Sequence, residues 1–180
     1  MNKRETKLTQ HLFHENEEQD FDIFLKTTAP LIGYIVHSFN ALEQSLNAII
    51  CEEISFRTDE PGLIIIHNMP YSSKVDLFDR FNANFFLTYQ NNELKKECNE
   101  LVKNLRESAR LRNIVVHADW NNTDFEGYTY VKIKITKDGL KQEYFQFTED
   151  SLEVIDDFII DTDEALDTYW EKRIDLLQNK

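Results

Sequence analysis

Only four glycines and three prolines interrupt these 180 residues. So few breakers leave long uninterrupted stretches, which favour helices over a succession of short strands. The apolar positions agree. Leu31, Ile35, Phe39, Leu42, Leu46 and Ile49 recur every three or four residues, as one face of a helix requires, with Ile54 in the same stripe. Thr27-Thr28-Ala29-Pro30 reads as the start of this helix, because threonine caps and proline is tolerated in a first turn. The stripe stops before the turn cluster Thr58-Asp59-Glu60-Pro61-Gly62, and the apolar run from Leu63 to Ile66 is of undecided type.

Ser73-Lys74-Val75-Asp76 fits a capping box and opens a second helix, with Val75, Leu77, Phe78, Phe81, Phe85 and Phe86 apolar. Asn91-Asn92 punctuates. A third helix starts near Glu93 and carries Leu94, Cys98, Leu101, Leu105, Ala109 and Leu111 up to Arg112. The period changes after Asn121-Asn122. Thr129, Val131, Ile133 and Ile135 alternate with Tyr128, Tyr130, Lys132 and Lys134, which predicts a strand with one buried face. Lys137-Asp138-Gly139 is a tight-turn signal, and Leu140 to Phe147 reads as the returning strand. Thr148 caps a fourth helix whose stripe is Leu152, Ile155, Phe158, Ile159, Leu166, Tyr169 and Trp170. The expected fold is mainly α: an antiparallel four-helix bundle with a β-hairpin inserted at about 128–147. Residues 29–176 would form the domain, and residues 1–28 an arm or short helix. A chain of this length buries a sizeable core without staples.

The net charge of −13 is unevenly spread. Residues 143–171 hold eleven acids and no Lys or Arg, and without them the chain carries a net of only −2. Residues 94–117 hold six bases and three acids. The whole-chain charge argues against tight binding of long duplexes, whose affinity comes from many phosphate contacts, but says little about any one face. Cys51 and Cys98 lie among apolar neighbours with no CxxC spacing, so two buried free thiols in a reducing compartment are expected. Met1 to Glu18 has no apolar signal core, and no apolar run approaches the roughly twenty residues of a membrane helix. A cytoplasmic protein without a membrane partner is the expectation.

One constellation carries chemistry. Arg112, Asn113 and His117 stand where the third helix turns strongly apolar, just before Trp120. Helical spacing sets Asn113 and His117 one above the other, and the long Arg112 side chain can swing toward that face. Histidine takes and gives protons near neutrality, while a guanidinium stays charged and grips phosphate.

The run Arg112-Asn113-Ile114-Val115-Val116-His117 resembles the RxxxxH signature of HEPN domains, in which a polar residue often follows the arginine. Its place late in a penultimate long helix, the Glu43 of an earlier helix amid apolar residues, and the further helix opened by Thr148-Glu149-Asp150 are similar too. The likeness covers roughly residues 30–170 and leaves residues 1–28 and the hairpin aside. It implies a homodimer whose two motifs share one cleft and cut RNA without a metal or cofactor, by attack of the ribose 2′-hydroxyl on the adjacent phosphate. It also implies a toxin or antiviral defence effector, with an antitoxin or regulatory protein as partner. Arg112, Asn113 and His117 would be its catalytic residues. The family also holds members without cleavage activity, so a non-catalytic module that binds nucleotide, RNA or protein is the alternative.

The plainer reading makes Arg112 a surface ion-pair partner and His117 a cation at a helix C-terminus. Weaker candidates surround the motif. Lys74, at a helix start, can touch a phosphate or be a solvated lysine. Glu43 can hold Arg112 or face solvent. Trp120 can stack on a base or pack at the helix end. His11 and His14 have a metal-like spacing without a third ligand nearby. Asp156, Asp157, Asp161 and Asp163 lack the glycine turn of a calcium loop and read as a solvated acidic face.

Overall fold

The computed structural model describes residues 1–7, 18–124 and 126–178, with residues 18–23 described by backbone alone. In chain order the elements are β1 (Lys3–Lys7), α1 (Glu18–Ile54), α2 (Glu60–Ile66), α3 (Tyr71–Thr88), α4 (Asn92–Val116), β2 (Asp119–Thr123), β3 (Tyr128–Thr136), β4 (Gly139–Gln146) and α5 (Glu149–Gln178). The fold is mainly helical, with one small antiparallel sheet. No described helix is long and apolar enough to cross a membrane. The chain divides into two compact units: residues 1–36 with 111–156, and residues 37–110 with 157–180. Helices α1, α4 and α5 each contribute to both.

The second unit is helical. Its core gathers Phe39, Leu42, Leu46, Ile49 and Ile50 from α1, Val75, Phe78 and Phe85 from α3, Leu94, Leu101, Val102 and Leu105 from α4, and Ile159, Leu166 and Tyr169 from α5. Apart from Ile50 and Val102, these residues belong to the stripes that periodicity marks. Cys51 and Cys98 are buried free thiols, as expected.

The direction of the helices differs from the expected antiparallel bundle. Phe39 meets Tyr71 at 4.7 Å between ring centroids, Glu43 pairs with Lys74, and at the far end Arg173 bonds both Glu53 and Asn82. So α1, α3 and this part of α5 run the same way. Only α4 opposes them, with Glu97 on Lys172 and Ser108 on Thr162. The reason is the connection. Residues 55–70 are no short turn but a crossover holding α2, which returns the chain to the start of α1's partner face. Short links join antiparallel neighbours, and Tyr89 to Asn91, between α3 and α4, is such a link. Gly62 makes the crossover fit, because a Cβ there would lie 2.6 Å from the Cα of Cys51.

Helix boundaries also move. The expected start at Thr27 to Pro30 is interior to α1. The hydroxyls of Thr27 and Thr28 donate backward to the carbonyl of Phe24, at 3.1 and 2.7 Å, so they extend an existing turn rather than cap a new one. The capping box at Ser73 is not formed. Helix α3 begins at Tyr71 behind Pro70, and Asp76 instead accepts from Arg106 at 3.1 Å. Thr148 caps α5 as expected, reciprocally with Ser151, and Asn91 Oδ1 caps α4 by accepting from the amides of Glu93 and Leu94.

The first unit is built on the sheet, in the order β1-β4-β3-β2, all antiparallel. The hairpin β3–β4 is where alternation and the turn signal place it, with Gly139 at φ 108°. Two flanking strands extend it. β1 comes from the N-terminal arm and pairs with β4; β2 pairs with β3. Neither is legible as a strand locally, since Lys-Arg-Glu-Thr-Lys and Asp-Trp-Asn-Asn-Thr lack apolar alternation. The period-two face is also broken. A register shift between Tyr130 and Lys132 leaves Val131 unpaired, as in a bulge, which swaps the faces of all residues beyond it. Thr129 is fully buried, whereas Ile135 is 84% exposed.

Candidate active site

The motif lies wholly in the first unit, at the end of α4. Val115 and Ala118 face inward and are buried. Asn113 and His117, one turn apart, are exposed, and Arg112 is half-buried. The backbone amide of His117 donates to the carbonyl of Asn113 at 3.0 Å, so helical geometry continues one residue past Val116 and holds the two side chains on one face. Arg112 Nη1 donates to Asn113 Oδ1 at 3.1 Å, which ties the guanidinium toward that face.

Trp120 secures the helix end. Its Nε1 donates to the carbonyl of Val115 at 3.0 Å, satisfying one of the carbonyls that a helix C-terminus leaves unpaired. Its ring packs on Phe147 and Phe24, with centroids 4.9 and 6.2 Å away. Trp120 therefore packs as a helix-end anchor, and two residues after His117 the chain is already in β2.

Lys74 and Glu43 belong to the second unit, the motif to the first. They pair with each other, Nζ to Oε1 at 2.7 Å, and Lys74 is only 8% exposed. The lysine at this helix start is thus engaged by a carboxylate. Asp156, Asp157, Asp161 and Asp163 line α5 as half-buried or exposed acids, and no group of three metal-ligating side chains is assembled among the described residues. His11 and His14 lie outside the described residues.

Chemically, the motif presents an exposed imidazole one helical turn from a carboxamide that is hydrogen-bonded to a guanidinium. An arginine of this kind can hold a phosphate, and an imidazole beside it can move a proton. One imidazole cannot be acid and base at the same moment, so a reaction needing both requires a second proton-transfer group. Alternation alone marks Lys132 and Lys134 as the wet side of a strand; what they meet across the sheet depends on the bulge and on β1. No family model, curated protein or solved structure matches this chain.

Proposed function

We propose that the chain is a metal-independent endoribonuclease of the HEPN type, acting as a homodimer. The supporting observation is the solvent-facing pairing of Asn113 and His117 on the last turn of α4, with Arg112 hydrogen-bonded to Asn113. The resemblance of the hexapeptide to the HEPN signature supplies the reaction.

In that reaction two copies of α4 face one phosphodiester. One His117 takes the proton of the ribose 2′-hydroxyl as O2′ attacks phosphorus. The P–O5′ bond breaks, and the His117 of the second copy gives its proton to the leaving O5′. The products are a 2′,3′-cyclic phosphate and a 5′-hydroxyl. Both Arg112 guanidiniums counter the charge that gathers on the crowded phosphorane oxygens. Asn113 helps to orient the guanidinium through its carboxamide oxygen. An RNA-cutting enzyme of this kind acts in the cytoplasm as a toxin or defence effector, with an antitoxin or other regulatory protein restraining it.

The test is cleavage of a fluorescent single-stranded RNA by purified protein in EDTA. His117→Ala and Arg112→Ala each lower the rate by about a hundredfold or more, with unchanged circular dichroism and unchanged dimer mass. A single 2′-deoxy nucleotide at the cleaved position blocks the cut. Strict dependence on added metal, cleavage of DNA at the same rate, or full activity in His117→Ala each refutes the proposal.

A further inference from the structure

The sheet gathers lysines from three strands onto one face. Cross-strand partners share a face, and the register aligns two adjacent rows. Glu5, Glu143 and Lys132 form one, and Lys7, Lys141 and Lys134 the next. Lys3 stands on the same face one pair further along β1. The bulge at Val131 is what brings Lys132 and Lys134 here, because it reverses the alternation of β3. Five ammonium groups therefore share the face with two carboxylates, in a chain whose net charge is −13.

The two carboxylates are already engaged. Glu143, with its side chain 4% exposed, lies under Lys3 at 2.9 Å, Lys134 at 3.5 Å and Lys132 at 3.6 Å. Glu5 takes Lys3 at 2.8 Å and Lys141 at 3.2 Å. The lysine heads remain open to water: the side chains of Lys132 and Lys134 are 61% and 51% exposed. A row of three lysines on adjacent strands roughly 5 Å apart is unfavourable for folding, since like charges directly opposite repel. The chain keeps it all the same.

We propose that this lysine face binds the phosphate backbone of single-stranded RNA, feeding the strand to the motif; the choice of RNA rests on the ribonuclease reading. Charge complementarity selects a polyanion. Ammonium groups on flexible stems contact phosphates without reading bases. Continuity selects the strand that would be cut. The face belongs to the same unit as Arg112 and His117, and β3, which carries Lys132 and Lys134, is hydrogen-bonded to β2, the strand that leaves the motif helix.

The experiment measures anisotropy of a fluorescein-labelled twelve-nucleotide oligouridine against the full chain carrying His117→Ala, across a salt series. Adding Lys7→Gln and Lys134→Gln weakens binding about tenfold near physiological salt and lowers the slope of log K on log salt by about 1.4, the loss of two phosphate contacts on a single strand. The variant stays folded, with an unchanged circular-dichroism spectrum. Lys95→Gln with Lys96→Gln, at exposed positions on α4, removes the same charge and changes neither quantity. A chain that binds RNA through these lysines but leaves it uncut with His117 intact keeps the platform and sinks the nuclease reading. Cleavage by the wild-type side chains with RNA affinity untouched by the sheet substitutions sinks the platform alone. Equal effects of both pairs, or a sheet variant that changes oligomer mass while RNA affinity holds, overturn it too, the latter marking the face as a contact between copies.

Discussion

Gly62→Ala and Gly33→Ala are the same substitution with opposite consequences. A Cβ at Gly62 would stand 2.6 Å from the Cα of Cys51, 2.7 Å from its Sγ and 2.8 Å from its Cβ. The first of these is backbone, so no rotamer change at Cys51 relieves the clash. Either α2 lifts off α1 or the buried turn around Cys51 shifts. Overpacking of this sort costs about 1–3 kcal/mol. In a domain of this size each kcal/mol moves the melting temperature by about 2–4 °C, so Gly62→Ala lowers it by roughly 2–12 °C. Gly33 sits in the middle of α1, exposed, with nothing within 4 Å of a built Cβ. There alanine gains about 1 kcal/mol of helix propensity, and the melting temperature rises by a few degrees. Urea unfolding followed at the helical circular-dichroism band gives both numbers without reference to activity. A Gly62→Ala protein as stable as the parent refutes the packing of the crossover onto α1, and with it the reason given for the parallel course of α1 and α3.

Arg173, 3% exposed, bonds Glu53 at 2.7 Å and Asn82 at 3.0 Å and lies over the rings of Phe85 and Trp170. Arg173→Met strands the Glu53 carboxylate and costs about 3–5 kcal/mol; adding Glu53→Met recovers part of it, and equal urea midpoints for the two variants contradict the assignment. Acid should weaken the sheet. Hydrogen bonds from Lys3 and Lys141 lower the Glu5 carboxyl from 4.5 to about 2. Burial pushes Glu143 up, but Lys3, Lys132 and Lys134 outweigh it and its net shift is downward. Depressed carboxyls lend stability that is whole above their unfolded values and disappears as pH falls through their folded ones. The urea midpoint therefore drops between about pH 4.5 and 2, and Glu5→Gln flattens that drop; an unchanged acid limb tells against the network.

Much of this architecture is written in local pattern. Helix stripes, the Asn91 and Thr148 caps and the β3–β4 turn depend on residues a few positions apart, where periodicity and capping chemistry act directly. The same is true of the motif: spacing alone sets Asn113 and His117 on one face, whatever surrounds α4. Neighbouring turns also mislead. Ser73 and Asp76 have the letters of a capping box, yet Arg106, thirty residues on, takes Asp76.

What local pattern leaves open was decided by partners distant in the chain. β1 carries no apolar signature and becomes a strand only because β4 offers it hydrogen-bonding groups. The bulge at Val131 decides on which face of the sheet Lys132 and Lys134 stand. The helices around Phe39 and Tyr71 take their common direction from a crossover long enough to return the chain and, at Gly62, small enough to pack on α1. A side chain's period tells which face it shares with its neighbours; only the completed packing tells what that face meets, and so the lysine rows and the exposure of His117 belong to the tertiary structure.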